Sequence, residues 1–171
     1  MKPLKIETAF STAWFELVAK TMRAGEAPYY SLRLADYASI VALTDEGRVL
    51  AVRQYRPALE RYTIELPSGM VDAGESPETS ARRELREETG YDAAEWESLG
   101  PLTVDNGRMG NRSWHYLARG LRRAENYTPE DGVELLSYSV PELRKAIVNG
   151  EFDLALHVAG LMQALLRGKL E

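Results

Sequence analysis

Between Ser76 and Gly90 the chain carries a helix signal with both ends specified by residue type, and no other segment restricts the fold as much. Ser76 suits the N-cap, Pro77 the first helical position, Glu78 the positive end of the helix dipole, and Gly90 the left-handed residue just past the end. The spacing predicts a helix over 77–89. At about 100° per residue, Glu84, Glu87 and Glu88 share one arc with Ser80, while Ala81 and Leu85 form a narrow apolar stripe beside Glu88. The carboxylates therefore border the buried edge. Like charges at these spacings each cost a few tenths of a kcal/mol on an isolated helix, and more where water is displaced. Arg83 can pair with Glu87, but Glu84 and Glu88 repel each other unless a cation lies between them.

The flanking segments read as a sheet. Residues 37–44 and 48–55, joined by Asp45-Glu46-Gly47, have the pattern of a β-hairpin. Residues 13–22 and 29–34 are expected strands around Gly25-Glu26-Ala27-Pro28, and 63–66 a short strand ended by Pro67-Ser68-Gly69. Further strands are predicted over 99–104, 113–118 and 134–140, with helices over 141–148 and 153–166. The order of strands, helix, strands and helices predicts an α/β fold, with residues 1–35 as a separate N-terminal sheet and 36–171 as the main domain.

Composition narrows the chemistry. A chain of 171 residues with 44% hydrophobic content can build a core without staples, so a metal would serve chemistry rather than folding. The absence of Cys excludes thiol nucleophiles, Cys-bound zinc and iron–sulfur clusters, and fits a reducing compartment. Residues 1–20 lack a long apolar core, so neither a signal peptide nor a membrane span is expected, and the predicted location is cytoplasmic. With 21 basic and 26 acidic side chains, the net charge of −5 argues against nucleic acid as a partner. No Walker-type phosphate loop is present. His115 and His157 read as core or surface residues, and Trp14, Trp96 and Trp114 as packing.

An oxygen-only cluster on a helix suits a hard cation such as Mg²⁺, with Mn²⁺ as substitute; the alternative is a solvated acidic face. The neighbouring residues separate these readings. From Gly69 the chain runs through Glu75, then after seven residues Arg83-Glu84-Leu85-Arg86-Glu87-Glu88-Thr89-Gly90-Tyr91. This closely resembles the Nudix box, Gly-x5-Glu-x7-Arg-Glu-U-x-Glu-Glu-x-Gly-U with U bulky and apolar, and every fixed position is met. The resemblance implies an α/β/α sandwich with a mixed sheet and an enzyme that hydrolyses a nucleoside diphosphate linked to another group.

Carried over by position, it makes Glu84 and Glu88 metal ligands, Glu87 a ligand or partner of the metal-bound water, and Arg83 the residue that orients the carboxylates. The Ser68 carbonyl becomes a backbone ligand, and Gly69, Glu75 and Gly90 become structural positions of the motif. Val52-Arg53-Gln54-Tyr55-Arg56 and Ile64-Glu65-Leu66-Pro67-Ser68-Gly69 look like the ADP-ribose and nucleotide-sugar pyrophosphatase branch, implying that Arg56, Arg53 and Met70 approach the substrate. That branch often has a Pro where this chain has Asn106, within a Gly-rich loop whose Arg108 and Asn111 could hold sugar or phosphate. In similar enzymes an acid on a loop before the last strand serves as base, which points to Glu130 first and Asp131 second.

The expected function is Mg²⁺-dependent hydrolysis of ADP-ribose or another nucleotide sugar to a nucleoside monophosphate and a sugar phosphate. The N-terminal strands resemble a dimerisation sheet, predicting a homodimer. The alternatives are a pyrophosphohydrolase that cleans the nucleotide pool of damaged triphosphates, and a non-catalytic nucleotide-sugar-binding module.

Overall fold

The computed structural model describes residues 1–170. Its first helix, α1 (Pro77–Thr89), has the predicted bounds. Ser76 accepts the Thr79 amide through its hydroxyl at 3.1 Å, and Gly90, at φ 71°, returns its own amide to the Arg86 carbonyl at 2.9 Å. A side chain at Gly90 would also run into the Tyr127 ring, so both backbone conformation and space require glycine there.

The described residues also form ten strands. β1 (Lys5–Ser11), β2 (Glu16–Thr21) and β3 (Tyr29–Arg33) form an antiparallel N-terminal sheet. β4 (Tyr37–Ala42), β5 (Arg48–Arg56), β6 (Arg61–Glu65), β7 (Ser68–Met70), β8 (Tyr91–Thr103), β9 (Arg112–Arg123) and β10 (Glu134–Ser139) form two further sheets, ordered β7-β4-β9-β8 and β10-β5-β6. The first of these is mixed, because β4 runs parallel to β9 and antiparallel to β7. Helices α2 (Val140–Val148) and α3 (Ala155–Leu166) complete the chain.

Two cores lie on the two sides of the sheets. Along β4, Ala38, Ile40 and Ala42 point toward Ala81 and Leu85 of α1, while Val41 points the other way, into a core with Phe152, Leu143 of α2 and Leu161 of α3. This is the predicted α/β/α layering. It follows from the period-2 geometry of a strand with apolar residues on both faces.

The expected hairpin of 37–44 with 48–55 is corrected. A tight turn does join β4 to β5, and Leu43 bridges Val49, but the strands then diverge: β4 pairs with β7 and β9, and β5 with β6 and β10. The reason is burial. Ile40 to Ala42 and Val49 to Val52 are buried residue after residue, so each strand needs a sheet of its own with cover on both faces. Strand β8 starts at Tyr91 rather than 99, as acidic Asp92, Glu95 and Glu97 masked its first half. Strand β7 follows the expected strand end at Pro67-Ser68-Gly69, where local propensity for a strand is low; pairing with β4 determines it.

Strand β1 was also unforeseen, and all seven of its residues are exposed. The N-terminal sheet leaves Phe10 57% and Trp14 69% exposed. It is tied to the rest through the Leu32 amide, which donates to the Arg108 carbonyl at 2.7 Å. Among the described residues, no helix is long and apolar enough to cross a membrane.

Candidate active site

Pairing of β7 with β4 sets Gly69 opposite Ala38 and presents its backbone to α1. A Cβ at Gly69 would collide with the Glu84 carboxylate, so glycine here is what lets strand and helix approach. Ser80, inside the carboxylate arc, donates its hydroxyl to the Met70 carbonyl at 3.0 Å and fixes the same approach.

Arg83 is the hub of the cluster. Its Nη1 donates to Glu84 at 2.6 Å and Glu87 at 3.1 Å, while Nε and Nη2 donate to Glu75 at 3.3 and 3.1 Å and Nη2 also reaches the Met70 carbonyl at 3.1 Å. One guanidinium thus hydrogen-bonds three carboxylates and lies 3.7 Å from a fourth, that of Asp72. Glu88 gets no share of that charge. It is 6% exposed, and its oxygens receive the Ser68 amide at 2.8 Å and the Gln54 side chain at 3.4 Å. Burial pushes its carboxyl up to about 8; the charges of Glu84, Glu130 and Glu65 add to the rise and the Ser68 amide opposes it. Burial likewise raises Glu84, with Arg83 pulling down and Glu87 and Glu130 pushing up.

A second acid–arginine cluster lies alongside. Glu65, at the end of β6, is 1% exposed and held in a two-pronged bond by Arg56, at 2.7 Å on each oxygen, with the Thr63 hydroxyl at 2.6 Å. Burial pushes the Glu65 carboxyl up, but the bonds from Arg56 and Thr63 outweigh it and hold the group below its ordinary range. A cavity of about 530 Å³ opens between these clusters and α3, lined by Ser68, Arg56, Glu65, Ser39, His157 and the apolar side chains Leu59, Leu154, Leu156, Val104 and Met109. Its size and largely apolar wall suit a small-molecule pocket.

The structure thus brings together Arg83, Glu84, Glu87, Glu88, Glu75, Ser68 and Gly69, with Arg56 next to them. Glu130, on the exposed segment before β10, is close enough for its charge to act on Glu84 and Glu88. Asp131 follows it in the turn. The side chains of the other expected residues lie elsewhere. Arg53 pairs with Glu134 at 3.1 Å and stacks on Tyr62, and Arg108 is held against Tyr29 of the N-terminal sheet at 2.8 Å. Asn111 is buried and donates to the Ala35 carbonyl, and Met70 lines a groove with Trp14 and Phe15.

Sequence reasoning assigned no role to Glu65, Thr63, Gln54 or His157. The available signal was a lone acid in an otherwise strand-like run, nine residues after Arg56 on the neighbouring strand.

For a hard divalent cation the donor set fits: it is all oxygen, partly buried, and carries more negative charge than Arg83 neutralises. Among the described residues the carboxylates do not already converge as a three-ligand cage, because Glu84 and Glu87 turn to Arg83 and Glu88 to Ser68.

A mixed sheet lies between α1 and α2/α3, with a Gly-to-Tyr motif clamped on α1 by its arginine. The family model described as the NUDIX domain matches residues 33–155, and the chain belongs to that family. It is 37% identical over 128 residues to an ADP-ribose pyrophosphatase of Mycobacterium tuberculosis, covering 72% of this chain and 62% of that one. It is 31% identical over 135 residues to a methanol dehydrogenase activator of Bacillus methanolicus, covering 74% and 73%. The chain therefore spans somewhat under two thirds of the Mycobacterium relative. A crystal structure of an ADP compounds hydrolase superposes with a TM-score of 0.81 at 20% identity, over 99% of this chain and 98% of that one, which establishes the shared fold.

Proposed function

We propose that the protein is a divalent-metal-dependent pyrophosphatase that hydrolyses ADP-ribose or a related ADP-sugar to AMP and a sugar phosphate. The observation that carries this reading is the surplus of buried carboxylate on α1: Glu88 and Glu84 are held beside one another with a single guanidinium that is already shared with Glu75 and Glu87. A binding module has no use for such a charge arrangement. Likeness to the Mycobacterium ADP-ribose pyrophosphatase supports the substrate class.

In this reading Glu84, Glu87, Glu88 and the Ser68 carbonyl hold Mg²⁺, or Mn²⁺ in its place, which when bound neutralises pyrophosphate charge and makes water a better nucleophile. The protein's own residues do the rest. Arg83 keeps Glu84 and Glu87 at fixed positions, and Glu75, bound to the same guanidinium, prevents it from swinging away. Ser68 holds Glu88 through its amide, and Gly69 leaves room for the Glu84 carboxylate. Glu130 is assigned as the base that accepts the water proton, with Asp131 as the alternative, because the charge of Glu130 acts on Glu84 and Glu88 from an exposed segment. Arg56 keeps Glu65 ionised and lines the entrance where phosphate would lie.

Residues 1–35 are assigned as a dimerisation element, joined to a catalytic domain over 36–171 in a cytoplasmic homodimer. The exposed Ile6, Phe10 and Trp14 on and beside an all-exposed β1 support this. Light scattering at micromolar protein should give twice the chain mass; the mass of a single chain would remove the dimer.

The activity is tested by product analysis after incubation with Mg²⁺ and ADP-ribose, other nucleotide sugars, damaged nucleoside triphosphates and a dinucleoside polyphosphate. AMP and ribose 5-phosphate from ADP-ribose, lost in Glu88→Gln, is the expected result. Turnover of triphosphates alone, or of nothing, would overturn it.

A further inference from the structure

His157 takes no part in the chemistry above, yet its protonation is determined by its surroundings. The ring is 5% exposed, and the Leu66 amide donates to its Nδ1 at 3.0 Å. A ring nitrogen that accepts a hydrogen bond carries no proton, so the neutral imidazole has its proton on Nε2. Neutrality is secure, because burial pulls the pKa down to about 4.

Among the described residues that Nε2–H has no hydrogen-bond partner. Of the carboxylates that line the same cavity, Glu65 has both oxygens engaged by Arg56 and Thr63, and Asp153 is taken by Arg61 at 2.6 Å. With Nδ1 turned to the backbone and the ring lining the cavity, the free edge is the cavity edge.

A second donor arises independently. His115 lies 2.7 Å from the Ser39 hydroxyl through Nδ1, and its Nε2 is buried without a partner. An orphaned lone pair is tolerated better than an orphaned N–H, which assigns the His115 proton to Nδ1 as donor to Ser39. The Ser39 oxygen then accepts, and its own hydroxyl proton is free for the same cavity, which Ser39 also lines.

We propose that His157 Nε2–H, assisted by the Ser39 hydroxyl, is the specificity contact of this cavity and donates to an uncharged acceptor on the part of the substrate beyond the pyrophosphate, a sugar oxygen or a base nitrogen. The cavity begins at Ser68, beside Glu88, so a group tethered to a pyrophosphate at the carboxylates can enter it. The two donors are neutral, and the Glu65 and Asp153 carboxylates on the same wall are each paired with an arginine, Arg56 and Arg61, so this end of the cavity suits an uncharged group. A site built to donate penalises a ligand lacking the acceptor, because its buried N–H would stay unpaired. The inference rests on the pyrophosphatase reading for the identity of the substrate.

The test uses ¹⁵N-labelled full-length protein without metal, so that it does not depend on turnover. In the free protein the His157 ring should show a protonated Nε2 and an accepting Nδ1; a protonated Nδ1 overturns the proposal. Saturating AMP or ribose 5-phosphate is then added. Movement of the Nε2 resonance with AMP alone assigns the contact to the base end, and movement with ribose 5-phosphate alone to the sugar end. No movement with either overturns it. In steady-state assays with Mg²⁺, His157→Phe should raise KM for ADP-ribose about tenfold with kcat within about threefold, and His157→Gln, which restores a donor, should recover part of the loss. An unchanged KM in a folded His157→Phe overturns the contact, whereas no turnover by the native protein overturns the activity and leaves the resonance experiment to decide the site.

Discussion

Two buried glutamates a short distance apart have opposite fates. Glu65 is the more deeply buried, yet its carboxyl lies below the ordinary range, whereas Glu88 is pushed up to about 8. Burial acts on both in the same direction. What differs is the hydrogen-bond partner: Glu65 takes both bonds of Arg56 with Thr63 in support, while Glu88 feels Arg56 only at a distance and is bonded by two uncharged donors with other carboxylates for neighbours. The first cluster is internally balanced and can serve structure. The second is left short of positive charge, which is the condition a cation relieves.

Glu88→Gln breaks the comparison most directly. It keeps the shape and an acceptor for the Ser68 amide but removes the charge, and should lower kcat for ADP-ribose by about a thousandfold, about 4 kcal/mol of barrier, with the thermal midpoint retained. A loss of less than about tenfold would mean that the surplus charge is incidental. Arg56→Met makes Glu65 resemble Glu88 by leaving it buried and unpaired. Urea unfolding should show a loss of about 3 kcal/mol, whereas removing both charges with Glu65→Gln in addition should recover much of it.

Mg²⁺ or Mn²⁺ should raise the thermal midpoint of the native protein, by about 2–3 kcal/mol of stability at a hundredfold excess over Kd, and should do so far less in Glu88→Gln. An equal shift in both would place the ion elsewhere. The smallest effect concerns acid. His115 and His157 are both held near pKa 4 by burial, against an ordinary value of 6.5, so the unfolded chain binds more protons than the folded one between those values. Their contribution is fully present above pH 6.5 and is lost progressively as pH falls from there towards 4, on the order of 2 kcal/mol for each ring by pH 5. Urea midpoints at pH 7 and pH 5 should show a steeper fall for the native protein than for His115→Gln; parallel falls would mean that His115 is not neutral in the fold.

How much of this was legible depends on the range of the interaction. The bounds of α1, its caps and its carboxylate arc were readable because they follow from residue spacing within thirteen positions and from local rules. Arg83 was readable as a partner of Glu87 at four residues' distance, but its bonds to Glu75 and the Met70 carbonyl depend on how the preceding loop folds back. The 37–55 hairpin failed for the same reason: turn chemistry is local, whereas sheet membership is decided by which buried faces find cover.

The sequence alone determined the order of elements, the charge surplus on one helix, and membership of a family through a motif that is contiguous. Tertiary structure decided which acid is neutralised and which is not. Glu65 and Arg56 become partners only across the β5–β6 hairpin, Glu88 loses water only under Ser68, and His157 finds the Leu66 amide from a helix at the far end of the chain. Desolvation and hydrogen bonding depend on atoms brought together over long separations, and no local pattern encodes them.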